Sequence, residues 1–432
     1  MPKTSMSPKQ QMLATLEGKP TDRIPWAPRL DLWHRANQRA GTLPDRYRRA
    51  TLMEMVDDLG WGYHGVVPDF QDLRSPEDDV HRALGTFSLH RMPVHTAFEG
   101  IDYRVTKAGD RTTVEYRTPV GTLTTATVYD ERMRAAGITI SHVERYAFQG
   151  PEDYAPLEYL FRHARAVPNY DGYAAEAERI GDRGFVVAYV HAAASPMHFL
   201  QRDVMPVETF FFELHDRPDE VRSLAEAIRG YWQEMLTVAA ACPAEVFLLG
   251  ANYDSAIQYP RFFAEHIGPG LAQFADVLHP QGKYLLTHTD GENRGLLEHY
   301  VASRIDIADS VCPAPMTRLT IGQVREAFDG RITIMGGIPS VALVKDSMTD
   351  AQFEKYLDEF FSQIGRGDHL ILGVSDTTPP AAEFSRLMAI AQRVEEFGPV
   401  RSSEAAKIEN RREDQTPPDD PHGASDGKPC HR

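Results

Sequence analysis

The apolar run Tyr284–His288 leads into His288-Thr289-Asp290-Gly291. In an extended strand residues i and i+2 share a side, so the His288 imidazole and the Asp290 carboxylate can converge. Such a pair can bind a divalent metal or share a proton. Gly291 lets the chain turn sharply beside it. The plainer alternative is a His–Asp hydrogen bond that only fixes a loop.

Polar groups close other apolar runs in the same way. His191 ends Phe185–Val190 and precedes Ala192-Ala193-Ala194, small residues that leave room for a ligand; a satisfied core histidine is the alternative. Asn252 and Asp254 follow Val246–Gly250, as substrate or metal ligands or as ordinary turn formers. Ser375 and Asp376 follow Leu370–Val374, where Asp376 can act on a substrate or cap the final helix. Arg29 and Asp31, then Asp69, then Asp309 and Cys312, follow three further runs. Cys312 is a soft metal ligand or, more plainly, a buried inert thiol. Arg23, Arg29, Arg35, Arg39, Arg46, Arg48 and Arg49 crowd one early stretch and can recognise carboxylates or phosphates. For all but Arg29 a solvated helix face is the plainer reading.

The elements that must hold these groups are short apolar runs: Ile24–Leu30, Tyr63–Val67, Phe185–Val190, Val246–Gly250, Tyr284–His288, Ile305–Ala308, Ile332–Met335 and Leu370–Val374. Runs of that kind are expected for parallel strands covered on both faces. Helical spacing lies between the later ones, as in Phe353, Leu357, Phe360 and Ile364. Strand and helix alternating through eight repeats predict an α/β fold, a closed (β/α)8 TIM barrel. In that fold catalytic groups sit at the C-terminal ends of the strands, where these polar residues gather.

One stretch departs from the pattern. From about Ile101 to Val143 the chain is rich in Thr, Val and Tyr, with a turn at Thr118-Pro119-Val120-Gly121. It predicts an antiparallel meander inserted between barrel strands two and three. Beyond Val400 aliphatic residues nearly vanish, so residues 1–400 are expected to form the barrel and 401–432 a disordered tail.

The balance of 46 Lys+Arg against 62 Asp+Glu, a formal charge of −16, argues against nucleic acid or anionic membrane partners. Local basic clusters can still hold an anionic small molecule. Cys242, Cys312 and Cys430 show no CxxC spacing, which fits a reducing compartment. No apolar run approaches the roughly 18 residues of a span, and the N-terminus has no apolar signal core. These features predict a soluble cytoplasmic enzyme of a small-molecule substrate; oligomeric state is not read from them.

Leu16-Glu17-Gly18-Lys19-Pro20-Thr21-Asp22-Arg23-Ile24-Pro25 resembles the N-terminal signature of the uroporphyrinogen decarboxylase superfamily. The His288 motif, Gly336-Gly337-Ile338-Pro339 and Thr377-Thr378-Pro379-Pro380 follow in matching order, and the resemblance covers roughly residues 8 to 398. One branch of that superfamily decarboxylates uroporphyrinogen without a cofactor, using an arginine-rich loop. Gln38-Arg39-Ala40-Gly41-Thr42-Leu43-Pro44 is similar to that loop, with Arg39 present and Thr42 where a second arginine is expected. The other branch moves methyl groups to or from a corrinoid with a zinc held by His-x-Cys and a later cysteine. Here His288 matches the histidine, Asp290 replaces the cysteine, and Ser375 and Asp376 stand where no later cysteine does.

Similar His-x-Asp-Gly sequences occur in members that resemble corrinoid-linked demethylases of methoxylated compounds. The resemblance therefore implies a metal-dependent methyltransferase that takes a methyl group from a small O- or N-methyl compound. The acceptor would be a corrinoid on a separate protein. It implies a divalent metal, with zinc the expected ion, on His288 and Asp290. Catalytic roles fall to Asp376 and His191, and substrate binding to Arg29, Asp31, Asn252 and Arg39. The alternatives are uroporphyrinogen decarboxylation, decarboxylation of another carboxylated substrate anchored by Arg29 and Arg39, or a ligand-binding barrel without catalysis.

Overall fold

A computed structural model of the chain describes residues 6–67, 80–86, 88, 89, 91–135, 138 and 140–401. Asp69 and the expected tail beyond Arg401 lie outside the described residues. The chain enters through helix Pro8–Leu16. Ser7 accepts from the Gln10 N–H, the Gln10 side chain returns to the Ser7 N–H, and Pro8 occupies the first turn.

Strand β1 (Gly65–Val67) is followed by six strands that belong to other sheets: β2 (Val94–Phe98), β3 (Asp102–Ala108), β4 (Arg111–Thr118), β5 (Gly121–Val128), β6 (His142–Arg145) and β7 (Ala164–Pro168). The main sheet resumes with β8 (Val186–His191), β9 (Val246–Ala251), β10 (Tyr284–His288), β11 (Ile307–Val311), β12 (Thr333–Ile338) and β13 (Leu370–Val374). It is a curled parallel sheet of seven strands, β1 beside β8 and the rest in chain order.

Alternation makes this sheet a two-sided core. Val187, Tyr189, Val246, Leu248, Leu286, Ile307, Met335 and Ile371 pack together on one face, inside the curl. Val190, Phe247, Leu249, Leu285, Ala308, Ile334 and Leu372 join the helices on the other. Burying one such side chain is worth roughly 1.5–3 kcal/mol, which explains why the strands read as unbroken apolar runs.

The first expected strand, Ile24–Leu30, forms no strand. Trp26 makes a single parallel bridge to Leu372. Ala27 donates its N–H to the Leu372 carbonyl and Leu372 donates to Pro25, both at 2.8 Å, while Gly62 donates to Trp26 at 2.8 Å. Pro25 and Pro28 have no N–H to give, so a continuous ladder cannot form. Residues 25–27 are thus hydrogen-bonded on both sides. Four other strands run past their expected ends: β8 reaches His191, β9 reaches Ala251, β11 reaches Val311 and β12 reaches Ile338.

Strands β3 to β6 form an antiparallel sheet in chain order, with Thr118 opposite Gly121 across the expected turn. Its buried Val114, Tyr116 and Leu123 share a cluster with Leu157, Leu160 and Phe161 of helix Tyr154–Arg162. A second antiparallel pair, β2 with β7, was not legible as strands in the sequence. No helix among the described residues is long and apolar enough to cross a membrane.

Candidate functional site

Parallel pairing of β10 with β11 sets His288 opposite Asp309. His288 Nδ1 lies 2.8 Å from Asp309 Oδ2, and both residues are buried. The other carboxylate oxygen of Asp309 is 3.9 Å from His64 Nδ1, contributed by the segment entering β1. His64 Nε2 is buried and has no hydrogen-bond partner among the described residues.

Charge in this buried cluster is set by competition. Burial pushes Asp309 toward its neutral form, but His64, the His288 hydrogen bond and Arg29 hold it at about 2. Burial also works against a charged His288. The Asp309 hydrogen bond and the charges of Asp309, Asp376 and Asp290 outweigh it, so His288 is raised above its ordinary value. His64, with less help, is lowered by burial to about 4. The pairing therefore favours the charged form of His288 on a buried carboxylate, and leaves Nε2 as the ring nitrogen not used by Asp309.

That Nε2 lies across a narrow gap from Asp376. Asp376 Oδ1 stands 3.8 Å from His288 Nε2 and 3.8 Å from an Arg29 guanidinium nitrogen. Both separations exceed a hydrogen bond and leave room for a bridging atom. The loop holding Asp376 is fastened: its N–H donates to Ser310 Oγ at 3.0 Å, Ser375 Oγ donates to the Val311 carbonyl at 2.8 Å, and the Thr378 N–H donates to the Arg29 carbonyl at 2.9 Å. Asp376 itself takes φ 62°, and its side chain is 49% exposed, which opens the gap to solvent.

Asp290 is half-buried beside this gap. Burial raises its carboxyl, His288 opposes that, and Asp376 adds to it. Gly291 has φ 117°, and a Cβ there would fall 2.3 Å from the Tyr253 carbonyl oxygen, so only glycine fits the turn. Asp31 opens helix Asp31–Ala40 and accepts from Tyr63 Oη at 2.7 Å. Arg39 is exposed in the last turn of that helix, roughly 12 Å along the axis from Asp31 at ~1.5 Å per residue. Asn252, at φ 57°, donates its N–H to the His288 carbonyl at 2.9 Å, with its side chain exposed. Asp254 Oδ1 accepts from the Ala256 N–H at 2.8 Å, a turn contact.

His191 is not brought to this cluster. The β8–β9 register shifts between Tyr189 and His191, so the alternation that would aim His191 into the curl is broken. Its ring packs against Phe199 and Trp232 instead. Nδ1 accepts from the Ala193 N–H at 2.8 Å and Nε2 meets the Gly85 carbonyl at 2.9 Å, which fixes a neutral tautomer. Burial lowers it further from protonation.

The expected metal finds a poor donor set. No three His, Cys, Asp or Glu side chains among the described residues form a group that could hold an ion. The Asp309 hydrogen bond leaves His288 Nε2 as the one ring nitrogen that could reach an ion, and burial pushes the Cys312 thiol up to about 11. With no third donor in such a group, the residues as placed do not fit a bound metal; His288 and Asp309 are placed so that they can exchange a proton.

In the sequence Asp309 stands out only as a group following a strand, and His64 does not stand out at all. Each is an ionisable residue within or beside an apolar strand segment, the one signal that could have found them.

No family model matches the sequence, and no curated protein matches it. Among solved structures a methyltransferase from Methanosarcina mazei is similar, at 12% identity and a TM-score of 0.49, with 91% of this chain and 99% of that one covered.

Proposed function

We propose that this chain is a (β/α)8-barrel enzyme of the uroporphyrinogen decarboxylase superfamily, with residues 25–27 serving as the eighth stave, and that it demethylates a small O- or N-methyl compound. The observation that carries the reading is the His288–Asp309 pair, an acid whose Nε2 proton faces the gap between Asp376 and Arg29. Demethylation needs such an acid. As a nucleophile takes the methyl carbon, the bond from carbon to oxygen or nitrogen breaks, its electron pair stays on the heteroatom, and that atom takes the proton from His288 Nε2. Asp309 holds the ring in position and favours its charged form, and His64 backs Asp309 from the other side. Asp376 and Arg29 border the place where the leaving atom would sit. Asp290 lies next to it, its carboxyl raised by burial. The methyl acceptor enters as a second substrate, a reduced corrinoid on a separate protein.

A second reading is decarboxylation, favoured by Arg29, which is only 17% exposed and could hold a carboxylate while His288 protonates the carbanion left behind. Formation of methylcobalamin from cob(I)alamin, followed by absorbance across methoxy-aromatics and methylamines, tests the first reading. Coproporphyrinogen appearing from uroporphyrinogen, with no methylcobalamin from any panel member, would reverse the order.

A further inference from the structure

Among the described residues, three non-glycine positions with positive φ border the His288–Asp309 pair: Asn252 at 57°, Ser310 at 59° and Asp376 at 62°. They lie at or just beyond the ends of β9, β11 and β13. Such backbone costs energy, persists only where its surroundings hold it, and collects at functional sites. Asparagine and aspartate visit this region because a short polar side chain can bond nearby backbone. Serine is not favoured there, so the conformation of Ser310 needs a cause.

The β11 ladders supply one. Toward β10 the register is regular and sets Asp309 opposite His288. Toward β12 it is not: Ala308 pairs with Ile334 but Val311 with Gly336, so Asp309 and Ser310 together face Met335 alone. That is a β-bulge, a device that re-aims side chains. The two backbones are close here. A Cβ on Gly336 would lie 3.2 Å from the Val311 nitrogen and 3.3 Å from the Ser310 Cα.

The side chain supplies the other. Ser310 is 1% exposed, and its Oγ accepts the Asp376 N–H at 3.0 Å. Ser375 is tied to the same stretch, its Oγ donating to the Val311 carbonyl. Asp376 needs this hold. Its carboxylate is half exposed and lies 3.8 Å from both His288 Nε2 and Arg29, too far for a hydrogen bond to fix it. Glycine would take φ 59° without strain, but it offers no acceptor.

We infer that Ser310 is a positioning residue: it takes a strained backbone so that one bulge of β11 aims Asp309 at His288 Nδ1 and holds Asp376 across from His288 Nε2. The inference rests on reading His288 as the proton-bearing group of the site, and on no particular substrate.

NMR of the full chain with ring-labelled histidine reads the His288 titration midpoint, its signal assigned by loss in His288→Gln. Asp376→Asn should lower that midpoint by about half a pH unit, the effect of one charge 3.8 Å away in water-like surroundings. Ser310→Gly suits the positive φ and deletes the hydroxyl. It should give at least about half of the Asp376→Asn shift. Combined with Asp376→Asn it should add nearly nothing, because Ser310 acts through Asp376. Ser310→Ala, which keeps the Cβ, repeats the test should the glycine variant fail to fold. A serine that is merely structural would leave the midpoint where it is. The inference is overturned by a wild-type midpoint in a folded Ser310 variant, by shifts that add in the double variant, or by an unmoved midpoint in Asp376→Asn. Should methyl transfer fail while the midpoints move as stated, the reaction is wrong and the positioning role stands.

Discussion

Replacing Asp309 with Asn keeps the size of the side chain and an acceptor for His288 Nδ1, and removes only the charge. Asp309 is held at about 2 in place of 3.8, a stabilisation of the carboxylate worth roughly 2 kcal/mol at ~1.4 kcal/mol per pKa unit. Because His288 is raised only through its carboxylate neighbours, burial should win once Asp309 is neutral, and His288 should fall below its ordinary 6.5. The signs follow from linkage. The depressed Asp309 contributes stability that is present above about pH 4 and lost as pH falls toward about 2. The raised His288 contributes stability present below about pH 6.5 and lost as pH rises through its higher folded value. Asp309→Asn should therefore cost roughly 2–3 kcal/mol between about pH 4 and pH 6.5, and less on either side. Any His288-dependent turnover should drop by about 100-fold near neutral pH, with its alkaline limb moved to lower pH. Denaturant unfolding at a series of pH values, beside the rate profile, measures both. A wild-type and a variant curve separated by a constant amount at every pH would refute the idea of a charged pair.

Three further outcomes are expected. His64, lowered to about 4 by burial, contributes stability that is present above about pH 6.5 and lost as pH falls toward about 4; His64→Gln should flatten that part of the melting-temperature profile, and an unchanged slope would contradict it. Gly291→Ala places a Cβ 2.3 Å from the Tyr253 carbonyl oxygen at φ 117° and should cost about 2–4 kcal/mol in denaturant unfolding, whereas a loss below about 0.5 kcal/mol would mean the turn yields. Elemental analysis should find less than about one divalent metal per chain, unaltered by His288→Ala, since the described residues offer no group of three donors; stoichiometric zinc that disappears with His288 would restore the metal reading.

The strands and their order are in large part legible in the chain's apolar runs. Seven of the apolar runs are strands of the parallel sheet because a strand buried on both faces must be apolar at nearly every position, and that leaves a plain trace. The runs also bring His288, Asp290, Arg29 and Asp376 forward, because the C-terminal ends of parallel strands gather at one edge. What they do not carry is which groups pair across strands. Asp309 meets His288 through the β10–β11 register, and register depends on how the whole sheet curls. His64 reaches Asp309 from more than two hundred residues away in the chain. His191 shows the reverse case: its position after an apolar run promised a place in the site, and one register shift turned it toward Phe199 and Trp232. The first run failed as a strand for a local reason, two prolines without N–H groups, yet residues 25–27 still lie between Leu372 and Gly62, because the backbone groups they do have are enough to bridge both neighbours.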